Sequence, residues 1–420
     1  AETTAVGSRI VERVMLDPLS ALVLLIGLGV GAEWISNRLG MPSIVLLLVA
    51  GVVIGPVTGV VNPDLVFGDA LFPIVSLGVS IILFEGGMRL QFSGVRAVRL
   101  PILSLTTLGA VVSWAGGTVL AWWLLDFQPD VALLLGAILI VTGPTVVIPL
   151  LRTLEVSDRL ETLTVWEGIV NDPLGAVLAV SVYQLAAAGR TGAGLVDAGG
   201  TLLWTIGSGT VVAVVGAFFL VGVIARGWVE PYMETPLTLG VVVGAFRGAE
   251  ALSPEAGLIA TTVMGVIVAN QDRVDTEHIV TFKENLGVLL VSFLFVLLAA
   301  RIEWTAVQTI TVESVVFASL LLLVVRPLAV AVAGLPAGLR WQEVVGLSVL
   351  APRGIVAAAI GSLFAIKLAE AGYPEARQVD AEVFFVIATS VLLTGMVARP
   401  VLRAIGVKEN APRERSSPET

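Results

Sequence analysis

A few groups able to do chemistry stand inside otherwise apolar stretches of this chain: Asp172 with Asn171 before it, Glu167 upstream, Glu85 and Arg353. Asp172 lies in the run Thr164-Val-Trp-Glu-Gly-Ile-Val-Asn-Asp-Pro-Leu-Gly-Ala176. A carboxylate at membrane depth is costly and rare, and it points first to an ion or proton pathway. Burial favours the neutral form of any carboxyl, while a cation beside it favours the anion. Proton and cation would therefore compete for Asp172, which is the minimum requirement for exchange.

Helical spacing separates the neighbouring roles. At 3.6 residues per turn, Glu167 and Asn171 share a face, whereas Asp172 lies about 140° around the helix from Glu167. Gly168, four before Asp172, leaves room on the aspartate's own face for an ion or a water. Pro173 has no N–H, so the carbonyl of Ile169 loses its helical partner. Glu85, in Leu83-Phe-Glu-Gly-Gly-Met88, reads equally as a second ligand and as a surface ion pair with Arg89 at i+4. Arg353 needs a carboxylate or several carbonyls, and Glu167 is its expected partner. Arg326-Pro327 is expected to mark a helix end or kink, and His278, among Asp272, Asp275 and Glu277, reads as a solvated loop residue.

The elements that must hold these groups are helices in a bilayer. The chain is 56% hydrophobic and 14% charged, with a mean hydropathy of +0.97, where a soluble domain carries roughly a quarter charged residues. Thirteen apolar runs recur from Leu19 to Leu402, the eighth and ninth short, without a long polar interval. The expected class is an all-α polytopic membrane protein. Lys and Arg favour the segments that would be cytoplasmic if the N-terminus is outside and the C-terminus inside. Sixteen Asp and Glu fall on the opposite, outer segments.

Two runs carry interruptions at matching places. The fifth contains Val141-Thr-Gly-Pro-Thr-Val-Val-Ile-Pro149 and the twelfth Val349-Leu-Ala-Pro-Arg-Gly-Ile355. Proline removes an N–H and clashes with the preceding turn, so each helix is expected to unwind, at Gly143-Pro144 and at Pro352 to Gly354. Paired broken helices in corresponding positions mark a transporter site at the midplane. The implied organisation is an outer segment 1–17, a transmembrane domain 18–405 and a cytoplasmic tail 406–420. Within the domain, two inverted six-helix repeats (18–185 and 236–405) flank a connector helix at 200–225. Thr142 and Thr145 flank the first break as possible further ligands.

The same inventory excludes other classes. With no cysteine and a single histidine, thiolate and histidine metal sites are absent. No paired aspartyl dyad or His-Glu-x-x-His supports an intramembrane protease, so an enzyme is not expected. No repeated filter motif or arginine-rich helix supports a channel. A cation-coupled symporter on a similar scaffold remains the alternative, without a substrate signature. No resident cofactor and no nucleic-acid partner is expected; the partners are a monovalent cation, a proton and the lipid bilayer.

Glu167-Gly-Ile-Val-Asn-Asp172, Phe84-Glu85-Gly86, Gly143-Pro-Thr145 and Pro352-Arg-Gly354 together resemble the NhaP-type antiporters of the monovalent cation/proton antiporter superfamily. The resemblance covers nearly the whole chain. It implies thirteen helices with crossed broken helices five and twelve, a homodimer, an elevator-like ion-binding bundle and residence in the plasma (inner) membrane. It makes Asp172 the ion- and proton-binding carboxylate, with Glu85 and the Thr145 backbone as further ligands. Asn171 and Glu167 hold the site together, and Arg353 pairs with Glu167. An Asn before the Asp accompanies electroneutral one-for-one exchange of Na⁺, or of Li⁺ or K⁺, for H⁺. Two positions depart from the commoner pattern: Val146 replaces an acidic residue and Gly168 a serine. Similar chains sometimes continue into a nucleotide-binding regulatory domain beyond the charged tail that follows Leu402.

Overall fold

The computed structural model describes residues 16–39, 42–92, 98–154, 156–187, 192–274 and 277–406. Among the described residues every regular element is helical. Seven helices are long and apolar enough to cross a membrane, and four shorter apolar ones accompany them. In a medium without water, only a helix or a closed barrel satisfies each backbone N–H and C=O internally.

In chain order the elements are α1 (Pro18–Leu39), α2 (Ser43–Val52), α3 (Leu71–Met88), α4 (Arg99–Leu124), α5 (Pro129–Ile138), α6 (Pro144–Thr153), α7 (Asp158–Ala187) and α8 (Gly192–Ala225). They continue with α9 (Pro231–Glu250), α10 (Ala256–Ala269), α11 (Glu277–Arg301), α12 (Val312–Ala337), α13 (Trp341–Val349), α14 (Ile355–Glu370) and α15 (Ala376–Ala404). Local chemistry sets several boundaries. Proline occupies the first position of α5, α6 and α9, where its missing N–H costs no helical bond. Asp17 caps α1 by accepting the N–H groups of Leu19 and Ser20 and the Ser20 hydroxyl, which lowers its pKa. Thr311 and Ser314 form a capping box at α12.

The helices pack as two groups. In the first, α11 lies on α1, α2 and α3, α3 on α10, and α10 on α8 and α9. In the second, α4 lies on α5 and α12, α5 on α7, and α14 on α15, with α7 reaching α13 and α14. The groups meet where α7 touches α8 and α10, α11 touches α14, and α15 touches α2. Exposed Trp34, Trp122, Trp123, Trp228 and Trp341 stand on the outside of the bundle, as aromatic residues do at a membrane interface.

Both α4 and α12 contain one wide turn, at Leu105–Gly109 and Leu321–Val325. Such π-bulges re-aim the residues that follow them, and the one in α12 ends directly before Arg326. The helix runs on through Arg326-Pro327, so that pair does not end it. His278 lies in the first turn of α11 and not in a loop, and its side chain falls outside the described residues. Asp380 and Glu382, counted from sequence among the outer acids, are buried within α15.

A candidate ion-binding site where two broken helices meet

The fifth and twelfth apolar runs unwind where their prolines and glycines require it. Residues 139–143 separate α5 from α6, and residues 350–354 separate α13 from α14. The two breaks touch: the Gly143 N–H donates to the Pro352 carbonyl at 3.1 Å. A Cβ added at Gly143 would collide with the Gly354 backbone, and one at Gly354 with Gly143. Only glycine lets two backbones approach this closely.

Each unwound end exposes carbonyls that a continuous helix would have paired. An arginine meets each of them. Arg353 Nη1 donates to the carbonyls of Ile140 and Val141, at 3.2 and 3.3 Å, at the end of α5, and its backbone N–H donates to Ser390 Oγ at 3.0 Å. Arg326 Nη2 donates to the Leu347 carbonyl, near the end of α13, at 2.9 Å. Positive charge at a helix C-terminus is favourable, and more so away from water.

Arg326, not Arg353, is the partner of Glu167. Its two terminal nitrogens grip both carboxylate oxygens, Nη2 to Oε2 at 2.8 Å and Nη1 to Oε1. This corrects the expected Arg353–Glu167 pair: the Arg353 guanidinium is held by the carbonyls of Ile140 and Val141, and Glu167 acts on it only as a nearby charge. Arg353 took the carbonyls, and Arg326 took the carboxylate. The signal for Arg326 was present in sequence, since it is an arginine inside the apolar run from Val315 to Ala333. An intramembrane arginine demands a partner.

Asp172 is treated differently. It is buried, at 1% exposure, yet among the described residues its Oδ1 has no hydrogen-bond partner. Asn171 Oδ1 and Thr142 Oγ1 are buried without partners as well. Three residues after Asp172, Gly175 presses against Val141 in the first break. The helix continues through Pro173, so Asp172 is held on a rigid element beside the unwound segment. Unsatisfied buried polar atoms are uncommon in native proteins and need a reason.

The other expected residues divide. Val146 is buried among apolar neighbours and supplies no oxygen. The side chains of Pro144 and Thr145 lie outside the described residues. Glu85 is half-buried and paired with Arg89 at 2.8 Å, as the ion-pair reading expected. Its carboxylate abuts Gly287 of α11, where an added Cβ would collide with it. The next residue, Gly86, faces α7: a Cβ there would lie 3.6 Å from Ile169 Cγ1.

The chain as a whole is matched by known proteins. Residues 20–404 fit the family described as the transmembrane sodium/hydrogen exchanger. The chain belongs to this sodium/hydrogen exchanger family. One relative, a probable Na⁺/H⁺ antiporter 2 of Methanocaldococcus jannaschii, is 26% identical over 347 residues, covering 78% of this chain and 80% of the relative. The K⁺/H⁺ antiporter NhaP of Alkalimonas amylolytica is 24% identical over 426 residues, covering 96% of this exchanger and 70% of the relative. In fold, the exchanger matches the sodium proton antiporter MjNhaP1 from Methanocaldococcus jannaschii at pH 8. The TM-score is 0.82 at 24% identity, over 92% of this chain and 98% of that one.

Proposed function

We propose that in this monovalent cation/proton antiporter Asp172 is the group that passes between proton and cation. The observation carrying the reading is the buried, unpartnered Oδ1 of Asp172, on a helix packed against the first break, where the Thr142 hydroxyl is also buried without a partner. A cation there would find a carboxylate and a hydroxyl, oxygen donors that suit a hard ion. Glu85 and Thr145 are proposed as further ligands. Asn171, Glu167 and Arg353 organise the site, joined by Arg326, and Gly143, Pro144, Pro352 and Gly354 keep the breaks open.

One titrating carboxylate per site implies electroneutral exchange of one cation for one proton. Na⁺ is the proposed cation. K⁺ is the second reading, favoured by the relative named as a K⁺/H⁺ antiporter. Alternating access would come from movement of the second helix group against the first. The apolar elements sort into thirteen spans with two inverted repeats, and the wide turns of α4 and α12, the fourth and eleventh spans, support that symmetry. A homodimer in the plasma membrane with the N-terminus outside completes the proposal.

The test is exchange in proteoliposomes under an imposed pH gradient, against Na⁺, Li⁺ and K⁺, with the membrane potential clamped and unclamped. Asp172→Asn is expected to lower exchange at least ~100-fold, a loss of roughly 3 kcal/mol of coupling. Full exchange by that variant rules out Asp172 as the carrier. A steady rate that follows the potential rules out the one-for-one stoichiometry.

A further inference from the structure

Ion pairs join the two helix groups at the membrane face where α11 ends and α15 begins. Arg301, the last residue of α11, donates through Nη1 to Asp380 Oδ2 at 3.3 Å and through Nε to Asp64 Oδ1 at 3.1 Å. Its guanidinium lies over the Phe72 ring. Asp380 is in the early turns of α15, and Ser362 of α14 donates to its other oxygen at 2.8 Å. The side chains of Arg301 and Asp380 are only 11% and 10% exposed, whereas Asp64 is 48% exposed. Beside them, Arg377 pairs with Glu303 at 3.3 Å on the open surface. Lys367, held over the rings of Phe364 and Tyr183, is close enough to Glu250 and Glu255 to act on both carboxylates.

Three of these contacts cross from one group to the other: Arg301 with Asp380, Arg377 with Glu303, and Lys367 with Glu250 and Glu255. Asp64, Phe72, Arg301, Glu303, Glu250 and Glu255 belong to the first group or its connections. Ser362, Lys367, Arg377 and Asp380 belong to the second. The Arg326–Glu167 pair contrasts with them, because both of its partners sit inside the second group and travel together.

We propose that Arg301 and Asp380 form a clasp that holds the exchanger closed at this face and parts in each transport cycle as the second group moves. This rests on the alternating-access reading above. A sheltered pair resists separation when parting strands a charge. On parting, Asp64 keeps a carboxylate on Arg301, while Asp380 keeps the Ser362 hydroxyl and gains water at the opening mouth, so neither charge is left buried alone. The pair is therefore built to open. Once released, Asp380 presents a carboxylate at the mouth through which a cation arrives.

The chain has no cysteine, so introduced thiols are the only ones. Glu303→Cys/Arg377→Cys, joined in proteoliposomes by a short reducible bifunctional thiol reagent, is expected to lose exchange and to regain it on reduction. Exchange at the parent rate while cross-linked overturns the clasp. Separately, Arg301→Gln is expected to shift the ratio of apparent cation affinities at the two faces by about 3- to 10-fold, with Arg301→Lys returning it toward the parent. An unchanged ratio in Arg301→Gln also overturns it. Retained exchange by Asp172→Asn would remove the site assignment while leaving the cross-linking result interpretable, so the two failures are distinct.

Discussion

Glu167 and Asp172 stand five residues apart on one buried helix, and the protein treats them in opposite ways. Glu167 is gripped through both oxygens by Arg326, which also binds the Leu347 carbonyl. Asp172 has a buried oxygen that nothing in the described structure satisfies. A carboxylate with a permanent cation is structural, because its charge is already neutralised. One without a partner is available to a transient cation or a proton. Burial alone does not separate the two, since both are almost fully enclosed; the identity of the neighbour does.

The sharpest way to break this comparison is to neutralise each carboxylate in turn. Asp172→Asn should abolish exchange while leaving thermal unfolding in detergent unchanged or slightly raised. Glu167→Gln should do the reverse in stability, lowering it by about 3 to 5 kcal/mol because Arg326 is left buried and unpaired. Adding Arg326→Met to Glu167→Gln should recover part of that loss. If the single variants are equally stable, the distinction between the two carboxylates fails.

Arg353→Met extends the comparison to the second arginine. It should cost about 2 to 3 kcal/mol through the carbonyls of Ile140 and Val141, read as a lower unfolding temperature. Combining it with Glu167→Gln should cost less than the sum of the two, because Arg353 feels both Glu167 and Arg326, and losing it removes a positive charge beside the unpaired Arg326. Strictly additive losses would show that the two arginine sites do not feel each other.

A carboxylate outside the spans offers a milder contrast. Half-buried Glu255 lies in the connection between α9 and α10, where burial, and secondarily Glu250, push its pKa up to about 7 despite the opposing charge of Lys367. The folded state then holds a proton that the unfolded chain releases near its ordinary value of 4.5. Stability should fall as pH rises from 4.5 through 7. Glu255→Gln should match the parent below that window and exceed it above, as measured by unfolding across a pH series.

The smallest effect is expected at Glu85. Its pairing with Arg89 is an i+4 contact between partly sheltered side chains, 14% and 28% exposed, contributing roughly 0 to 1 kcal/mol. As a secondary ligand already paired with Arg89, Glu85 contributes little of the binding: Glu85→Gln should weaken apparent cation affinity by less than about 5-fold. A loss comparable to that of Asp172→Asn would make it an essential ligand.

Much of this was legible in the chain because the membrane restricts what a sequence can do. Hydrophobic runs had to become helices, and Gly143-Pro144 and Pro352-Arg-Gly354 had to open them. An aspartate amid Val170, Leu174 and Ala176 had to be significant. These are local consequences of backbone chemistry and desolvation. Pairing was not legible in the same way. Arg326 and Arg353 are both intramembrane arginines, and Glu167 and the freed carbonyls are both suitable acceptors, so composition and spacing admit either assignment. The fold resolved it by bringing the end of α5 to Arg353 and turning α12, through its wide turn, so that Arg326 meets Glu167 and α13. The clasp of Arg301 and Asp380 was equally hidden, since 79 residues separate its partners and each resembles an ordinary charge near a helix end. The sequence by itself determined which groups would be costly to bury; the tertiary structure decided which of them were compensated, because compensation depends on distances that local chemistry does not fix.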